Sequence, residues 1–226
     1  IESYDEQRFT YPRGELNVHF PELDLAGVLS PSCSTTLICR LQSAEDVMAM
    51  LLANEIIDRR FPLGNKFLMV PYLPYARQDR AQETSAFSLK VMANLINSMN
   101  FKRVYTWDVH SVVSEALINN IDNVPLEKIC ENHGPLLHDI ETYDYTLVSP
   151  DAGAEKKVAK LANLLRVPYL TAYKTRDETT GKLSNAMIVQ DAVPANVCII
   201  DDICDGGRTF INLAKVLRAK GAKRVG

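Results

Sequence analysis

The sequence predicts an α/β protein with two similar halves, each a mainly parallel sheet flanked by helices. Short apolar runs rich in β-branched residues alternate along the chain with longer stretches whose apolar residues recur at helical spacing. This alternation is typical of parallel sheets, because parallel neighbours are joined by a crossover helix. We expect helices on both faces of each sheet, a first domain over residues 1–125 and a second over 126–226.

The first half contains three predicted strands, each followed by a helical or looped stretch. Ser43 is placed to cap the first helix, and Glu45 and Asp46 fall in its first turn, where the helix dipole favours negative charge. The predicted strands are 37–41, 67–71 and 103–107, and the predicted helices are 44–60 and 87–99, with a short helix or loop at 111–118. The polar stretch 120–143, which contains Asn, Asp, Gly and Pro, is predicted to link the halves.

The second half repeats the pattern and ends in a helix. Gly221 follows that helix at the position where glycine commonly ends one. The predicted strands are 145–149, 169–173 and 197–201, with a short apolar run at 186–189, and the predicted helices are 154–165 and 209–220. Another strand begins at 223–226, and the chain also starts abruptly, so we expect residues to be missing at both ends.

Composition excludes several classes of protein. The 226 residues carry 25 basic and 28 acidic side chains, so the net charge is −3 and duplex nucleic acid is not the expected partner. Apolar runs are far shorter than the roughly 20 residues of a membrane helix, and the charged N-terminus lacks the apolar core of a signal peptide. The five cysteines form no CxxC pair, which indicates reduced thiols and a cytoplasmic location, and we interpret Cys198 and Cys204 as small core residues.

The most informative segment is IIDDICDGGRT at 199–209. A predicted strand ends in Asp201 and Asp202, and a loop with two glycines then opens a helix. Ligands of open α/β sheets bind beyond the carboxyl ends of the strands, and the N–H groups of such a loop and helix N-terminus suit a phosphate. The adjacent acids suit ribose hydroxyls or a hydrated Mg²⁺; the alternative is a solvated turn with a capping aspartate.

This segment resembles the ribose-phosphate loop of type I phosphoribosyltransferases and of ribose-phosphate diphosphokinases (PRPP synthetases). Five more segments resemble synthetase motifs in family order: YPRGE at 11–15 (F-x-D-G-E), PYLPYARQDR at 71–80 (P-Y-x-P-Y-A-R-Q-D-K), YTWDVHS at 105–111 (D-L-H-[AS]), VSPDAGA at 148–154 (V-S-P-D-x-G-G) and KTR at 174–176 (K-x-R). Ordinary phosphoribosyltransferases would share only the last one or two motifs. The resemblance therefore favours a synthetase with two phosphoribosyltransferase-like halves.

The resemblance implies a Mg²⁺-dependent transfer of the diphosphoryl group of ATP to the C1 hydroxyl of ribose 5-phosphate, which gives PRPP and AMP. It implies catalytic roles for Lys174 and Arg176, which lie in the polar stretch 173–181 that we expect to be a mobile loop closing over the phosphates. It also implies a homo-oligomer whose subunits share the nucleotide site.

The other site residues follow from the same resemblance. The residues implied in ATP binding are Tyr11, Glu15, Arg77, Gln78, Asp79 and His110. The residues implied in ribose 5-phosphate binding are Asp201, Asp202, Asp205, Gly206, Gly207 and Thr209. His110 and Asp151 are implied as metal ligands, with Asp108 orienting the loop that carries the histidine. The structural alternatives are packing for His110 and Tyr11, helix capping for Asp151, and an exposed polar turn for 77–79.

Two substitutions depart from the family pattern. Arg13 replaces the acid of F-x-D-G-E, which puts nucleotide selectivity in question. Arg208 replaces a glycine of the family's D-T-G-G-T loop and either adds a phosphate contact or obstructs the pocket. The stretch after residue 79 also lacks the family's R-A-P, which puts regulation by phosphate and ADP in question.

Two alternative functions stay open. One is a catalytically silent, synthetase-like regulatory subunit, against which the retained catalytic and metal-binding residues argue. The other is a type I phosphoribosyltransferase, which would not need the Arg-Gln-Asp segment at 77–79.

Overall fold

Two units of backbone, Ile1–Val124 and Pro125–Gly226, each contain their own sheet and hydrophobic core. The structure is a computed structural model, and it describes residues 3–25, 29–176 and 183–226. Among the helices of these described ranges, none is both long enough and apolar enough to cross a bilayer.

The first unit begins with an antiparallel hairpin that the sequence pattern did not predict. Its strands are β1 (Gln7–Thr10) and β2 (Leu16–His19), and a short helix α1 (Pro21–Leu25) follows. All four residues of β1 are exposed, whereas Val18 of β2 is buried. The hairpin therefore packs on the rest of the unit through β2. Because neither face of β1 is buried, its sequence lacks the apolar alternation that would predict a strand.

A four-stranded parallel sheet forms the centre of the first unit. Its strands, in spatial order, are β3 (Thr35–Ile38), β4 (Lys66–Met69), β5 (Arg103–Trp107) and β6 (Ile121–Val124). The connecting helices are α2 (Ala44–Arg60), α3 (Ser88–Ser98) and α4 (Val113–Leu117). Helix α2 has the predicted bounds, and Ser43 caps it as predicted.

The described helices of this unit pack against one face of the sheet. Leu37, Leu68 and Val104 are cross-strand neighbours on that face and are buried with the apolar residues of α2 and α3. The opposite face is more open, with Ile38 66% exposed and Trp107 47% exposed. The expectation of helices on both faces is therefore not met by the described part of this unit.

The second unit contains a five-stranded sheet in the order β11-β10-β7-β8-β9. Its strands are β7 (Thr146–Ser149), β8 (Tyr169–Arg176), β9 (Leu183–Ile188), β10 (Asn196–Ile199) and β11 (Arg224–Val225). All neighbours are parallel except β9, which pairs antiparallel with β8. The helices are α5 (Leu126–Glu131), α6 (Gly134–Tyr143), α7 (Glu155–Leu165) and α8 (Arg208–Ala219).

Both faces of this second sheet are covered. Leu147 and Cys198 pack on one face with residues of α5, α6 and α7. Val148, Val197 and Ile199 pack on the other face with α8. Successive side chains of a strand point to opposite faces, so the adjacent apolar residues in the middle of β7 and β10 are buried on both faces of the sheet.

Three sequence predictions are wrong in detail. The stretch 120–143 is not a polar linker, because it contains β6, α5 and α6. The predicted loop at 173–181 begins later, because residues up to Arg176 belong to β8; residues 177–182 lie outside the described residues. Cys204 is exposed and is not a core residue, whereas Cys198 is buried as expected.

Candidate functional site

Acidic residues follow two neighbouring strands of the second unit. Asp151 comes two residues after β7, and Asp201 and Asp202 come two and three residues after β10. The two strands are parallel, and the N–H of Ile200 continues their pairing by donating to the carbonyl oxygen of Val148 at 3.0 Å. All three carboxyl groups therefore lie at the same edge of the sheet, where ligands of α/β folds bind.

The charges of these acids act on one another. Burial, together with the negative charges of Asp202 and Asp151, raises the pKa of Asp201 to about 6. An opposing contribution comes from the backbone N–H of Asp202, which donates to Asp201 Oδ1 at 2.9 Å and favours the ionised form. The edge thus concentrates negative charge in a partly desolvated place, which is suited to hydroxyl donors or a cation.

Lys157 supplies a positive charge at this edge that the sequence analysis did not single out. Its Nζ lies 3.2 Å from Asp202 Oδ2, and the Asp202 side chain is only 8% exposed. The sequence did contain a signal for this residue. A lysine in the first turn of a predicted helix lies at the end where the helix dipole disfavours cations, which indicates a compensating acidic partner.

The loop after the acid pair leads into the N-terminus of α8. Gly207 has φ +69°, a conformation that glycine adopts without strain, and its carbonyl accepts the N–H of Ile211 at 2.9 Å. Helix α8 begins at Arg208, and its N-cap residue Gly207 has no side chain that could accept the first N–H groups of the helix. Asp205 and Gly206 are exposed in the loop, and Thr209 lies in the first turn of the helix. The predicted phosphate-binding residues are thus gathered at one helix N-terminus, where backbone donors favour an anion.

Asp151 has a defined structural role in its turn. Its Oδ1 accepts the N–H groups of Gly153 at 3.0 Å and Ala154 at 3.2 Å, just before α7 begins. These hydrogen bonds close the turn before the helix and do not cap it, because α7 has Ala154 at its N-cap and no side-chain cap bond. The Asp151 carboxylate also lies close enough to Asp201 to raise the pKa of Asp201, so this role in the turn does not exclude a second one.

Lys174 and Arg176 lie near the end of β8. Their backbone pairs with β9 in the register Lys174 with Ala186 and Arg176 with Leu183, with an irregularity between the two pairs. The side chains of these two residues lie outside the described part of the structure. The parallel pairing of β7 with β8 ends at Ser149 and Thr171. Lys174 and Arg176 therefore lie in the part of β8 that extends beyond β7.

In the first unit, the segment 77–79 and the loop 108–111 meet beyond the ends of β4 and β5. The Ser111 hydroxyl, by hydrogen bonding to the Asp79 carboxylate, lowers the pKa of that carboxyl group, with a smaller contribution from Arg80. Arg77 and Gln78 are exposed, and the N–H of Gln78 donates to the Tyr75 carbonyl at 3.0 Å. The sequence analysis named Asp79 but missed Ser111 as its partner.

His110 is exposed in a loop held by backbone contacts. The N–H of Asp108 donates to the Val124 carbonyl at 2.8 Å, and the N–H of Val109 donates to Asn123 Oδ1 at 3.1 Å. Asp108 has φ +42°, which turns the chain sharply after β5. Both contacts go to β6, so this strand fixes the loop that presents the histidine.

The turn of the β1-β2 hairpin carries Tyr11 and Glu15. The N–H of Tyr11 donates to the Glu15 carbonyl at 2.8 Å, and Gly14 between them has φ +89°. Tyr11 is 47% exposed and meets the Phe9 ring edge-on, with the centroids 4.9 Å apart. The hairpin thus presents an aromatic pair to solvent.

Carboxylates are the described side chains at the edge of the second sheet that could hold a metal ion. The described residues contain no group of three or more His, Cys, Asp or Glu side chains arranged for a metal ion. Mg²⁺ usually keeps several waters and takes only one or two carboxylates from the protein, so an anchored acid such as Asp151 in a negatively charged edge is sufficient. The donor chemistry therefore fits Mg²⁺ and does not fit a closed zinc site.

Sequence comparisons match this chain to ribose-phosphate pyrophosphokinases. It is 29% identical to the enzyme of that name from Thermosipho africanus over 223 residues, which are 94% of this chain and 66% of that protein. It is 33% identical to the one from Staphylococcus epidermidis over 170 residues, which are 74% of this chain and 52% of that protein. The chain thus spans between about half and two thirds of these curated relatives. No family model matches it.

A solved structure shows the same fold. The crystal structure of phosphoribosylpyrophosphate synthetase from Mycobacterium smegmatis matches all of this chain with a TM-score of 0.80 and 23% sequence identity. The match covers 72% of that structure. The α/β fold class predicted from the sequence is confirmed.

Proposed function

We propose that this chain, which is similar to ribose-phosphate pyrophosphokinases, transfers the β,γ-diphosphoryl group of ATP to ribose 5-phosphate, forming PRPP and AMP. One observation carries the proposal. Two acids beyond the carboxyl end of β10 lead through a glycine loop to the N-terminus of α8. This arrangement offers acceptors for a sugar diol and donors for a phosphate in one continuous segment.

In the proposed reaction the C1 hydroxyl oxygen of ribose 5-phosphate attacks the β-phosphorus of ATP. A new O–P bond forms, the bond from the β-phosphorus to the α,β-bridging oxygen breaks, and AMP leaves with that oxygen. The hydroxyl proton passes to solvent. Because little covalent chemistry is left to the protein in such transfers, its task is to align the substrates and to stabilise charge.

The sugar side of the site lies in the second unit. Asp201 and Asp202 accept hydrogen bonds from the ribose hydroxyls in this proposal. The 5-phosphate is held at the start of α8 by Asp205, Gly206, Gly207 and Thr209 through their backbone N–H groups and the threonine hydroxyl. The exposure of Asp205 and Gly206 and the positive φ of Gly207 support this assignment.

The nucleotide is assigned to the first unit and to the hairpin. Arg77 contacts phosphate, and Gln78 and Asp79 position the adenosine. The hydrogen bond between Ser111 and Asp79 supports a common site for the two loops. Tyr11 and Glu15, on an exposed hairpin turn, meet the adenine of a neighbouring subunit in a homo-oligomer, so the nucleotide site is shared.

Lys174 and Arg176 are the proposed catalytic cations. An arginine binds two phosphate oxygens through its planar fork, and a lysine acts as a point charge on the transferring group. His110 and Asp151 are the proposed residues for Mg²⁺, which when bound neutralises negative charge on the polyphosphate. None of the five cysteines, all of which lie in the described residues, forms a disulfide, and reduced cysteines support a cytoplasmic location.

The test is an assay of AMP and PRPP formation from ATP, Mg²⁺ and ribose 5-phosphate. We expect the wild-type chain to form both products in equal amounts. Lys174→Ala is expected to lower turnover by several orders of magnitude while ATP still binds. Lys160→Ala, which removes an exposed lysine of α7, is the matched control and retains wild-type turnover.

Each alternative function predicts a different result. A silent regulatory subunit yields no product although ATP and ribose 5-phosphate bind. A phosphoribosyltransferase yields no PRPP but consumes added PRPP in the presence of a free base. Near-normal turnover in Lys174→Ala would remove the catalytic role assigned to that lysine.

A further inference from the structure

Lys157 lies in the first turn of α7 and contacts the acid pair that follows β10. Its Nζ is 3.2 Å from Asp202 Oδ2, although the two residues are far apart in sequence. The Lys157 side chain is 28% exposed and that of Asp202 is 8% exposed, so the contact is largely shielded from water. Lys157 belongs to none of the motifs described above.

The position is locally unfavourable for a buried cation. The first turn of a helix carries partial positive charge, and α7 places Lys156 and Lys157 there together. Lys156 is exposed, where water screens its charge, whereas Lys157 is directed into the carboxyl edge of the sheet. The contact with Asp202 offsets the unfavourable dipole, so a tertiary interaction accounts for the placement of Lys157.

The contact extends through Asp202 to its neighbour. The backbone N–H of Asp202 donates to Asp201 Oδ1 at 2.9 Å, so the side chain of Asp201 is fixed by the residue that Lys157 holds. Adjacent carboxylates repel each other, and Asp151 adds a third negative charge nearby. Because a shielded carboxylate without a compensating cation is costly, the Asp202 carboxylate would turn toward water or lose its charge if Lys157 did not contact it.

We propose that Lys157 is a positioning residue for sugar recognition: it holds the Asp202 carboxylate in the orientation that accepts hydrogen bonds from a sugar diol and does not itself contact the sugar. The inference rests on the ribose 5-phosphate site proposed above. The carboxyl edge of the second sheet then has two parts. The acid pair depends on Lys157 for its orientation, whereas the phosphate-binding loop at the start of α8, the α8 cradle, does not depend on Lys157.

Binding of ribose 5-phosphate and of inorganic phosphate to the full chain, measured by calorimetry, tests this separation. Lys157→Met retains the length of the side chain and removes its charge. We expect it to raise the dissociation constant for ribose 5-phosphate about tenfold, as outer-shell partners of binding groups commonly do. The dissociation constant for inorganic phosphate, which needs only the cradle, is expected to stay at the wild-type value.

Three variants serve as controls. Lys157→Arg retains the charge and is expected to bind ribose 5-phosphate within about threefold of wild type, since Arg also pairs with carboxylates. Lys156→Met removes the neighbouring exposed lysine and should have no effect. In an Asp202→Asn background, Lys157→Met should weaken binding no further, because the two residues act through one contact.

The outcomes are distinguishable. Equal binding of ribose 5-phosphate by Lys157→Met and wild type overturns the role of Lys157 while the site itself stands. Equal loss of sugar-phosphate and phosphate binding shows a general structural role and also overturns it. A wild-type chain that binds inorganic phosphate but not ribose 5-phosphate overturns the proposed sugar site and the inference with it.

Discussion

Asp46 connects the start of α2 to the hairpin of the first unit. Its Oδ2 accepts the N–H of Ser43 at 2.7 Å, and its own N–H donates to Ser43 Oγ at 3.2 Å, which together form a capping box. Its Oδ1 accepts from Arg8 Nη1 at 2.6 Å. The Arg8 contact and then the Ser43 hydrogen bond lower the pKa of Asp46 to about 2.

Asp46→Asn is therefore expected to lower the free energy of unfolding by about 2 kcal/mol at pH 7. Because the folded-state pKa lies below the unfolded value, this stability is present above pH 4 and is lost as the pH falls toward 2. Urea unfolding from pH 7 to pH 3 measures it. The wild-type curve should fall more steeply than that of Asp46→Asn, and Glu45→Gln, an exposed neighbour, should follow wild type.

The sequence analysis left two effects open for Arg208, an added phosphate contact or obstruction of the pocket. It is exposed and is the first residue of α8, beside the glycines of the proposed phosphate cradle. We expect Arg208→Ala to weaken ribose 5-phosphate binding about tenfold at low salt and less at high salt, because a guanidinium adds to the backbone donors. Calorimetry at two salt concentrations measures this, with Arg218→Ala in the last turn as control. Tighter binding by Arg208→Ala would indicate that the arginine obstructs the cradle.

At the scale of elements, the turn between α2 and β4 depends on one glycine. A Cβ on Gly64 would lie 1.9 Å from the carbonyl oxygen of Cys33, a backbone atom that cannot move as a side chain would. The N–H of Leu63 also donates to the Pro31 carbonyl at 3.1 Å, so the turn packs directly on the segment before β3. The sequence analysis did not single out Gly64, because a close backbone approach leaves no periodic signal.

Gly64→Ala is expected to destabilise the chain by about 2–3 kcal/mol, because either the turn or the segment before β3 must shift. Gly134→Ala is the matched control, since no atom lies within 4 Å of its Cβ position and the residue begins α6. That control should be neutral or stabilising by a few tenths of a kcal/mol. Thermal unfolding of both variants decides the matter; equal melting temperatures would contradict the predicted clash.

Elements were predictable where local signals were strong. The helix α2 has a capping residue, first-turn acids and a long apolar face, and its predicted bounds are confirmed. The hairpin β1-β2 and the helices after β6 were missed because their residues are partly exposed or polar. The antiparallel direction and the register of β9 relative to β8 also could not be predicted, because they depend on which residues of the two strands pair, and hydrophobic periodicity carries no information on pairing.

At the scale of the whole molecule, each unit has a core of its own. If ribose 5-phosphate binds at the acid edge and α8 cradle, protection of backbone amides should rise there first. Hydrogen exchange with and without the ligand measures this. We expect slower exchange at 202–211 and unchanged exchange in the β1-β2 hairpin; protection confined to the hairpin would contradict the proposed location.

The α/β class, most strand and helix positions, and the order of the motifs can be predicted from the amino-acid sequence, because periodicity, caps and glycine loops are local properties. The proximity of Asp151 to Asp201, the hydrogen bond between Ser111 and Asp79, and the contact between Lys157 and Asp202 are known from the folded structure alone. These contacts join residues from different strands and helices. They exist because parallel strands end at one edge, and which side chains meet there depends on packing across the sheet.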